Sequence, residues 1–538
     1  MTRIRSRRKI SPFLLVASLV LFSSPSESKK PPAPRPDPLG RRIESILRQS
    51  DARRGLWGVE VVRPADGAVL YEQNADQLFL PASNMKLFTT AAAIERLGPD
   101  FVFRTTVESD APPDARGRVG DLILVGRGDP NLSGRVLPYN LKTERREPAD
   151  AVFQQLADQV AGRGVREVAG NLVADDSYFL YEPFSHNWAA EDLQWGYGAP
   201  VTALAFNDNQ LFLHVQAGLA VGERALVWLE PIHDYYAMNN RVETAAPRAK
   251  KRLFVERAPG SMELDVWGEI ALDAAEDDDT VSIADPPRLA GELFRRALEA
   301  RGIVVRGEVE VRHLRRIEAA ELDNPFPSRP AGPPRVVLAE HRSLPLGKEI
   351  KVINKESQNL HVEMLLRTLG RELKNYGSLT VGLEVLGEFA AQVGVERGET
   401  HFADGSGLSR EDLVAPRAVV KLLEYMARSR RFEAFFDSLP VAGVDGTLAQ
   451  RFKGTPAEGR IHAKTGTVEH VNALSGYMDL PSGERLIFSI IGNSHPLKAG
   501  EGARIVDRIA VAIYEAFEAQ KKFPPRRGKS RRTPAPKE

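Results

Sequence analysis

A chain of 538 residues has room for about three domains, and 42% hydrophobic with 27% charged residues is ordinary globular composition. Lys and Arg number 73 against 72 Asp and Glu, a formal charge of +1, so no bulk field points to nucleic acid or to an anionic membrane surface. There is no cysteine, which excludes disulfides, thiolate catalysis and Cys-ligated zinc.

Arg3, Arg5, Arg7, Arg8 and Lys9 precede an apolar run from Phe13 to Phe22, followed by Ser23-Ser24-Pro25-Ser26. Basic, then apolar, then small residues is the order of a secretory signal, expected over residues 1–28. Ser6-Arg7-Arg8 is similar to a twin-arginine pair, and no Cys follows for lipid attachment. The apolar run is short for a bilayer, so cleavage and no stable membrane span are expected. Residues 29–39 contain the Pro-rich run Pro31 to Pro38 and read as a linker.

Ile43, Ile46 and Leu47 then suggest a short helix, and Leu56 to Val62 and Ala68 to Glu72 two strands joined at Pro64-Ala65-Asp66-Gly67. Leu87, Ala91, Ile94 and Leu97 form an apolar stripe that predicts a helix from Ser83 to the stop at Gly98-Pro99. Two later segments share one plan: a helix through Val152 to Val160 then a strand at Gly170 to Val173, and a helix through Leu289 to Leu298 then a strand at Gly307 to Val311. They read as two halves of one α+β insert, residues 102–187 and 280–335, with a nested strand-rich subdomain at 188–279. Pro325 to Pro334 reads as the returning linker. The main domain is then 40–101 with 336–520. It contains a helix ending near Lys351, another from Asn359 that Gly370 stops, and strands at Ile461 to Thr467, Ala473 to Met478 and Leu486 to Gly492, before a C-terminal helix through Ile505, Ile509 and Ile513. Residues 521–538 are basic and Pro-rich and read as a disordered tail.

Three short patterns occur in order: Ser83-x-x-Lys86, Ser357-x-Asn359 and Lys464-Thr465-Gly466. Ser83 and Lys86 are three apart and share a helix face. A hydroxyl with an amine beside it is a nucleophile–base pair once burial strips the amine of its proton. Taken alone, Ser83 reads as a helix N-cap, and Ser6-Lys9, Ser26-Lys29 and Ser185-His186-Asn187 are decoys. Together the three patterns match the active-site signature of penicillin-binding proteins and serine β-lactamases.

Ser83 and Ser357 are 274 residues apart (357 − 83). With that long insert, and with Pro81 to Lys86 (PASNMK), Gly126 to Leu132 (GRGDPNL), Asn354 to Asn359 (NKESQN), Asp404 to Arg410 (DGSGLSR), Gly443 to Leu448 (GVDGTL) and Ala463 to Thr467 (AKTGT), the chain resembles the low-molecular-mass class C penicillin-binding proteins, the peptidase S13 family, over residues 40 to 520. Gln358 stands where some members carry Asp. The resemblance implies an α/β fold: a penicillin-binding-protein/serine β-lactamase-like domain, an antiparallel sheet with flanking helices, carrying the inserted domains. It implies a D-alanyl-D-alanine carboxypeptidase/endopeptidase of the periplasm or cell wall, acting on peptidoglycan stem peptides, acylated by β-lactams and needing no metal or other cofactor; a homodimer is compatible with it. Ser83 would be the nucleophile, Lys86 its base and Ser357 the proton relay. Asn359, Lys464, Thr465, Gly466 and Thr467 would bind substrate, Asp404 and Ser406 would line or brace the site, and the N–H groups of Ser83 and Thr467 would form the oxyanion hole.

The alternatives are a serine β-lactamase or esterase on the same fold, or a non-catalytic peptidoglycan-binding protein. The Glu-x-x-Asn match at Glu372 to Asn375 reads as helix surface, not a deacylation site. Gly126-x-Gly128 lacks the third glycine of a dinucleotide loop and reads as a turn. The ten histidines contain no His-Glu-x-x-His, and His361-x-Glu363 has no Cys partners, so a zinc deaminase is excluded.

Overall fold

The computed structural model describes residues 38–49, 51–140, 148–232, 234–316 and 334–518. The expected signal segment, all but the last two residues of the first linker, nearly all of Pro325 to Pro334 and the basic tail lie outside the described residues.

One sheet of five antiparallel strands carries the third motif. Its order is Ile461–Val468, Val471–Asp479, Arg485–Asn493, Leu56–Arg63 and Ala68–Gln73, which leaves the Lys-Thr-Gly strand at the edge. Side chains alternate across the sheet. Val59, Val61, Leu474 and Phe488 pack with Ile43 and Ile46 of the helix Pro38–Arg48 and with Ile509 and Ile513 of Ala499–Glu518. On the opposite face, Val62, Tyr477 and Ile487 meet Leu87, Ile94, Leu366, Val419 and Leu423. Each such buried aliphatic side chain contributes roughly 1.5–3 kcal/mol, so the layers hold the sheet from both sides. The helix Met85–Arg96 lies in the middle of the second layer, buried from Met85 through Ile94, and its run Ala91-Ala92-Ala93 lets neighbouring helices approach on all sides.

Two boundaries differ from expectation. The helix expected to end near Lys351 runs Leu346–Lys355, and the one that Gly370 was to stop runs Asn359–Lys374 and ends at Asn375, whose φ is 55°. Gly370 serves packing instead: a Cβ there would come within 2.8 Å of the Tyr376 carbonyl and 3.0 Å of the Gly382 nitrogen.

Between Ala68–Gln73 and Ile461–Val468 the chain builds a second five-stranded sheet in the order Val309–Leu314, Leu172–Leu180, Leu122–Val125, Arg104–Ser109, Val336–Arg342. The first three are parallel, as helix–strand repeats require. The expected helix–strand plan occurs twice, and its strand part occurs a third time. Short strands Arg118–Val119, Glu167–Val168 and Val304–Val305 form a parallel sheet of their own, each just before a long strand. The first copy has no helix in front of it, which hid it from helical periodicity. Val336–Arg342, expected with the main domain, pairs antiparallel with Arg104–Ser109 instead, from Val336↔Ser109 to Arg342↔Arg104. The strand-rich stretch forms two three-stranded sheets. Its Leu211, Leu213, Val242 and Val266 share one apolar core with Leu289 and Phe294 of the helix Pro286–Glu299, so this core is continuous with that of the α+β part.

Candidate active site

Ser83 does not cap the helix. It sits on the 3-10 turn Ala82–Asn84 before the α-helix Met85–Arg96, and no side-chain cap bond forms at either start. Its Oγ instead accepts from Lys86 Nζ at 2.8 Å. Lys86 Nζ also donates to Asn359 Oδ1 at 2.6 Å and to the Ser406 carbonyl at 2.8 Å. Three acceptors satisfy an amine that is 0% exposed. Burial drives the Lys86 pKa down to about 7, against the opposing pull of Asp404 and Glu363.

The second pattern meets the third. Lys464 Nζ donates to Ser357 Oγ at 2.9 Å and to the Thr465 carbonyl at 3.0 Å. Lys464 is equally buried, and burial, with Lys86 and Arg451 nearby, pushes its pKa well below the usual amine range. Ser357 is held at a φ of 61°, a strained conformation for a side chain other than glycine. Asn359 donates from Nδ2 to the Tyr197 carbonyl at 2.9 Å, so the inserted region touches the motif.

Gly466 explains how the strand reaches the helix. A Cβ there would lie 2.6 Å from the Pro81 carbonyl and 3.1 Å from Asn84 Nδ2, and Asn84 Nδ2 donates to the Lys464 carbonyl at 3.1 Å. Among the described residues, no strand pairs with the outer edge beyond Ala463, whose N–H turns outward to the Pro440 carbonyl at 3.0 Å. Alternate residues face the same way, so Thr465 and Thr467 direct their backbone groups to that edge.

The Asp404 loop lies behind the cleft wall. Asp404 and Ser406 are 0% exposed and do not line the cleft. Asp404 accepts from the N–H groups of Ser406 (2.9 Å), Gly407 (2.6 Å) and Ser409 (2.8 Å), from Ser406 Oγ (3.0 Å) and from Trp188 Nε1 (2.9 Å). Burial would raise its pKa, but those bonds and one from the Asp412 carboxyl hold it below the usual range. Asp412 moves the other way, raised by burial and by the Asp404 charge, so one proton sits on Asp412. Glu363, raised by burial and by Asp404, accepts from the Gly405 N–H at 2.8 Å, from Arg367 at 3.0 Å and from Ser185 Oγ at 2.9 Å. The decoy serine Ser185 is thus a brace.

A cleft of about 480 Å³ opens over these groups, lined by Ser83, Ser357, Asn359, Thr467, Arg410 and, from the inserted region, Glu191, Asp192 and Tyr197. Lys86 and Lys464 lie beneath its floor. Thr465 is 7% exposed and donates from Oγ1 to Thr447 Oγ1 at 2.8 Å, which ties the GVDGTL stretch to the strand. Glu372 and Asn375 are outside the cleft; Glu372 accepts from the Tyr178 hydroxyl and Asn375 ends its helix. Among the described residues, one group, His214 with Glu276 and Asp278 on the nested sheets, brings possible metal-ligand atoms within 4.8 Å of one another, and none of the three lines the cleft. Sequence reasoning missed Glu363, Asp412, Tyr197 and Trp188. Glu363 falls four residues after Asn359, on one helix face, and that spacing is a usable signal; Tyr197 and Trp188 arrive from another part of the chain and leave none.

The family model for D-Ala-D-Ala carboxypeptidase 3 (S13) matches residues 39–513. The chain is 38% identical to a D-alanyl-D-alanine carboxypeptidase of Actinomadura sp. over 88% of this chain and 84% of that protein. It is 26% identical to the D-alanyl-D-alanine carboxypeptidase DacB of Haemophilus influenzae, over 78% and 81%. The crystal structure of penicillin binding protein 4 from Haemophilus influenzae matches the fold with a TM-score of 0.74 at 23% identity, over 88% of this chain and 99% of that one.

Proposed function

Since the chain belongs to the D-Ala-D-Ala carboxypeptidase 3 (S13) family, it is a serine D-Ala-D-Ala carboxypeptidase, and we propose that Ser83 carries its acyl-enzyme. The observation that supports this reading above all is the 2.8 Å contact from Lys86 Nζ to Ser83 Oγ, made by an amine whose pKa lies at about 7. At neutral pH about half of such amines are uncharged and able to take the hydroxyl proton. Ser83 then attacks the carbonyl of the penultimate D-alanine of a peptidoglycan stem peptide. The N–H groups of Ser83 and Thr467 stabilise the oxyanion, Asn359 holds the substrate amide, and Ser357, already bonded to Lys464, passes a proton to the departing amine. The leaving group is free D-alanine in the carboxypeptidase reaction and a neighbouring stem in the endopeptidase reaction. Water then releases the acyl group. The open edge beside Thr467 suits an extended peptide lying as an added strand, and Thr467 with Lys464 suits its terminal carboxylate.

The same attack on a lactam carbonyl gives a penicilloyl ester, and a β-lactam complex is known for the Haemophilus influenzae protein. The substrate places the enzyme in the cell-wall compartment, in keeping with the basic and apolar leader. No described helix is long and apolar enough to cross a membrane.

D-alanine release from a stem pentapeptide, measured beside nitrocefin turnover, tests the reading. D-alanine release with slow nitrocefin turnover is the expected result. Fast nitrocefin turnover with no D-alanine release would reassign the chain as a β-lactamase, and neither activity would favour a non-catalytic binding protein.

A further inference from the structure

Asn207, Asp208 and Asn209 have φ values of 49°, 60° and 53°, and none is more than 1% exposed. Three left-handed residues in succession persist only where their surroundings hold each of them, and Asn and Asp tolerate that region best. Here the surroundings do so. The Asn207 N–H donates to the Leu132 carbonyl at 2.9 Å, and Asn209 donates from Nδ2 to the Pro200 carbonyl at 2.8 Å while its Oδ1 accepts from the Phe206 N–H at 2.9 Å. This strained turn presents the Asp208 carboxylate across to the helix that carries the second motif. Oδ1 lies 3.0 Å from His361 Nε2, and Oδ2 lies 2.5 Å from the Arg135 guanidinium and 3.3 Å from Gln358 Nε2.

Gln358 is thereby engaged at both ends. Its amide oxygen accepts from the Leu360 N–H at 3.1 Å and caps the helix Asn359–Lys374, while its amide nitrogen donates to Asp208. The residue before it is Ser357, strained at a φ of 61° with its hydroxyl 2.9 Å from Lys464 Nζ. The residue after it is Asn359, 2.6 Å from Lys86 Nζ. A shift of Gln358 moves both contacts at once, because two of its neighbours' side chains face the two buried lysines.

We propose that Asp208 is a positioning residue for the reaction, acting through Gln358 and His361 to hold Ser357 and Asn359 against Lys464 and Lys86, so that the inserted region sets the acylation rate. The proposal rests on the reading of Ser83 as the nucleophile.

The test sets a like charge against Asp208. Gln358→Glu keeps the cap oxygen but sets a carboxylate against Asp208, and the first-order acylation constant for benzylpenicillin should fall at least about tenfold. The dissociation constant of the preceding non-covalent complex should stay within about threefold, as expected when geometry rather than binding is lost. Adding Asp208→Asn removes the repulsion between the two carboxylates and should recover part of the rate, since one amide cannot both donate to position 358 and accept from Arg135 as Oδ2 does. Gln358→Leu removes the link without repulsion and should show a smaller loss of the same constant; it decides the matter if Gln358→Glu does not fold. Wild-type acylation in folded Gln358→Glu or Gln358→Leu overturns the proposal, as does a Gln358→Glu defect that Asp208→Asn fails to relieve. Ser83→Ala, run in parallel, reports on the nucleophile separately: acylation that survives there defeats the underlying reading whatever the Gln358 variants do.

Discussion

The wall of the cleft behind Ser83 and the strand opposite each bury one lysine completely, yet they surround it differently. Lys86 shares its pocket with Asp404 and Glu363, whose charges work against burial to hold its pKa at about 7, and with the protonated Asp412. Lys464 has Lys86 and Arg451 for company, so its neighbours add to burial and its pKa falls well below the usual range. Burial alone would leave both amines neutral and interchangeable. The acidic lattice on one side leaves Lys86 able to gain and lose a proton near neutrality, as a base must. The cationic side leaves Lys464 short of a counter-charge, which an incoming carboxylate supplies, raising its pKa on binding.

The largest effect should come from deleting the poised amine. Lys86→Met keeps the length of the side chain but leaves Ser83 without a base, and acylation by a fluorescent penicillin should fall by about 10² to 10⁴. Retention of rate in a folded variant would transfer the role of base to the Lys464 side.

A second experiment makes the two walls alike. In the unmodified enzyme, Lys86 is charged below a pH of about 7 and neutral above it, so the acylation rate should rise with pH through that value. Asp404 is the strongest of the carboxylates that support the Lys86 charge. Asp404→Asn should therefore lower the Lys86 pKa further and move the rising limb to lower pH, while melting falls because the buried turn from Ser406 to Ser409 loses its charged acceptor. An unmoved limb would remove Asp404 from the electrostatics of the base.

The smallest effect should be at Asp412. It already carries the shared proton, and Asn can donate to Asp404 and accept from the N–H groups of Ala403 and Asp404 in the same way. Asp412→Asn should leave acylation within about twofold and melting nearly unchanged, since it removes no charge.

These differences also mark what a sequence can carry. The spacing of Ser83 and Lys86 was legible because it lies within one turn of chain, and the strand carrying Lys464-Thr465-Gly466 followed from a pattern near the C-terminus, but its place at the sheet edge is set by pairings far along the chain. The long interval from Ser83 to Ser357 marked the inserted region. The acidic company of Lys86 was not legible: Glu363, Asp404 and Asp412 converge only when the helix Asn359–Lys374 and the loop after Phe402 pack beside the helix Met85–Arg96. The strained Asn207-Asp208-Asn209 turn reads locally as turn chemistry, and its target, Gln358, is 150 residues away. Gly370 misled for the same reason. A glycine at the end of an apolar stripe resembles a stop until the Tyr376 carbonyl and the Gly382 backbone are seen against it.

Peptide mapping of the protein after reaction with benzylpenicillin identifies the nucleophile. One penicilloyl group per chain is expected, on the peptide containing Ser83, formed faster as pH rises through about 7 and absent from Ser83→Ala. An adduct on Ser357 or on any other residue, or none at all from protein shown to be folded, would contradict Ser83 as that nucleophile.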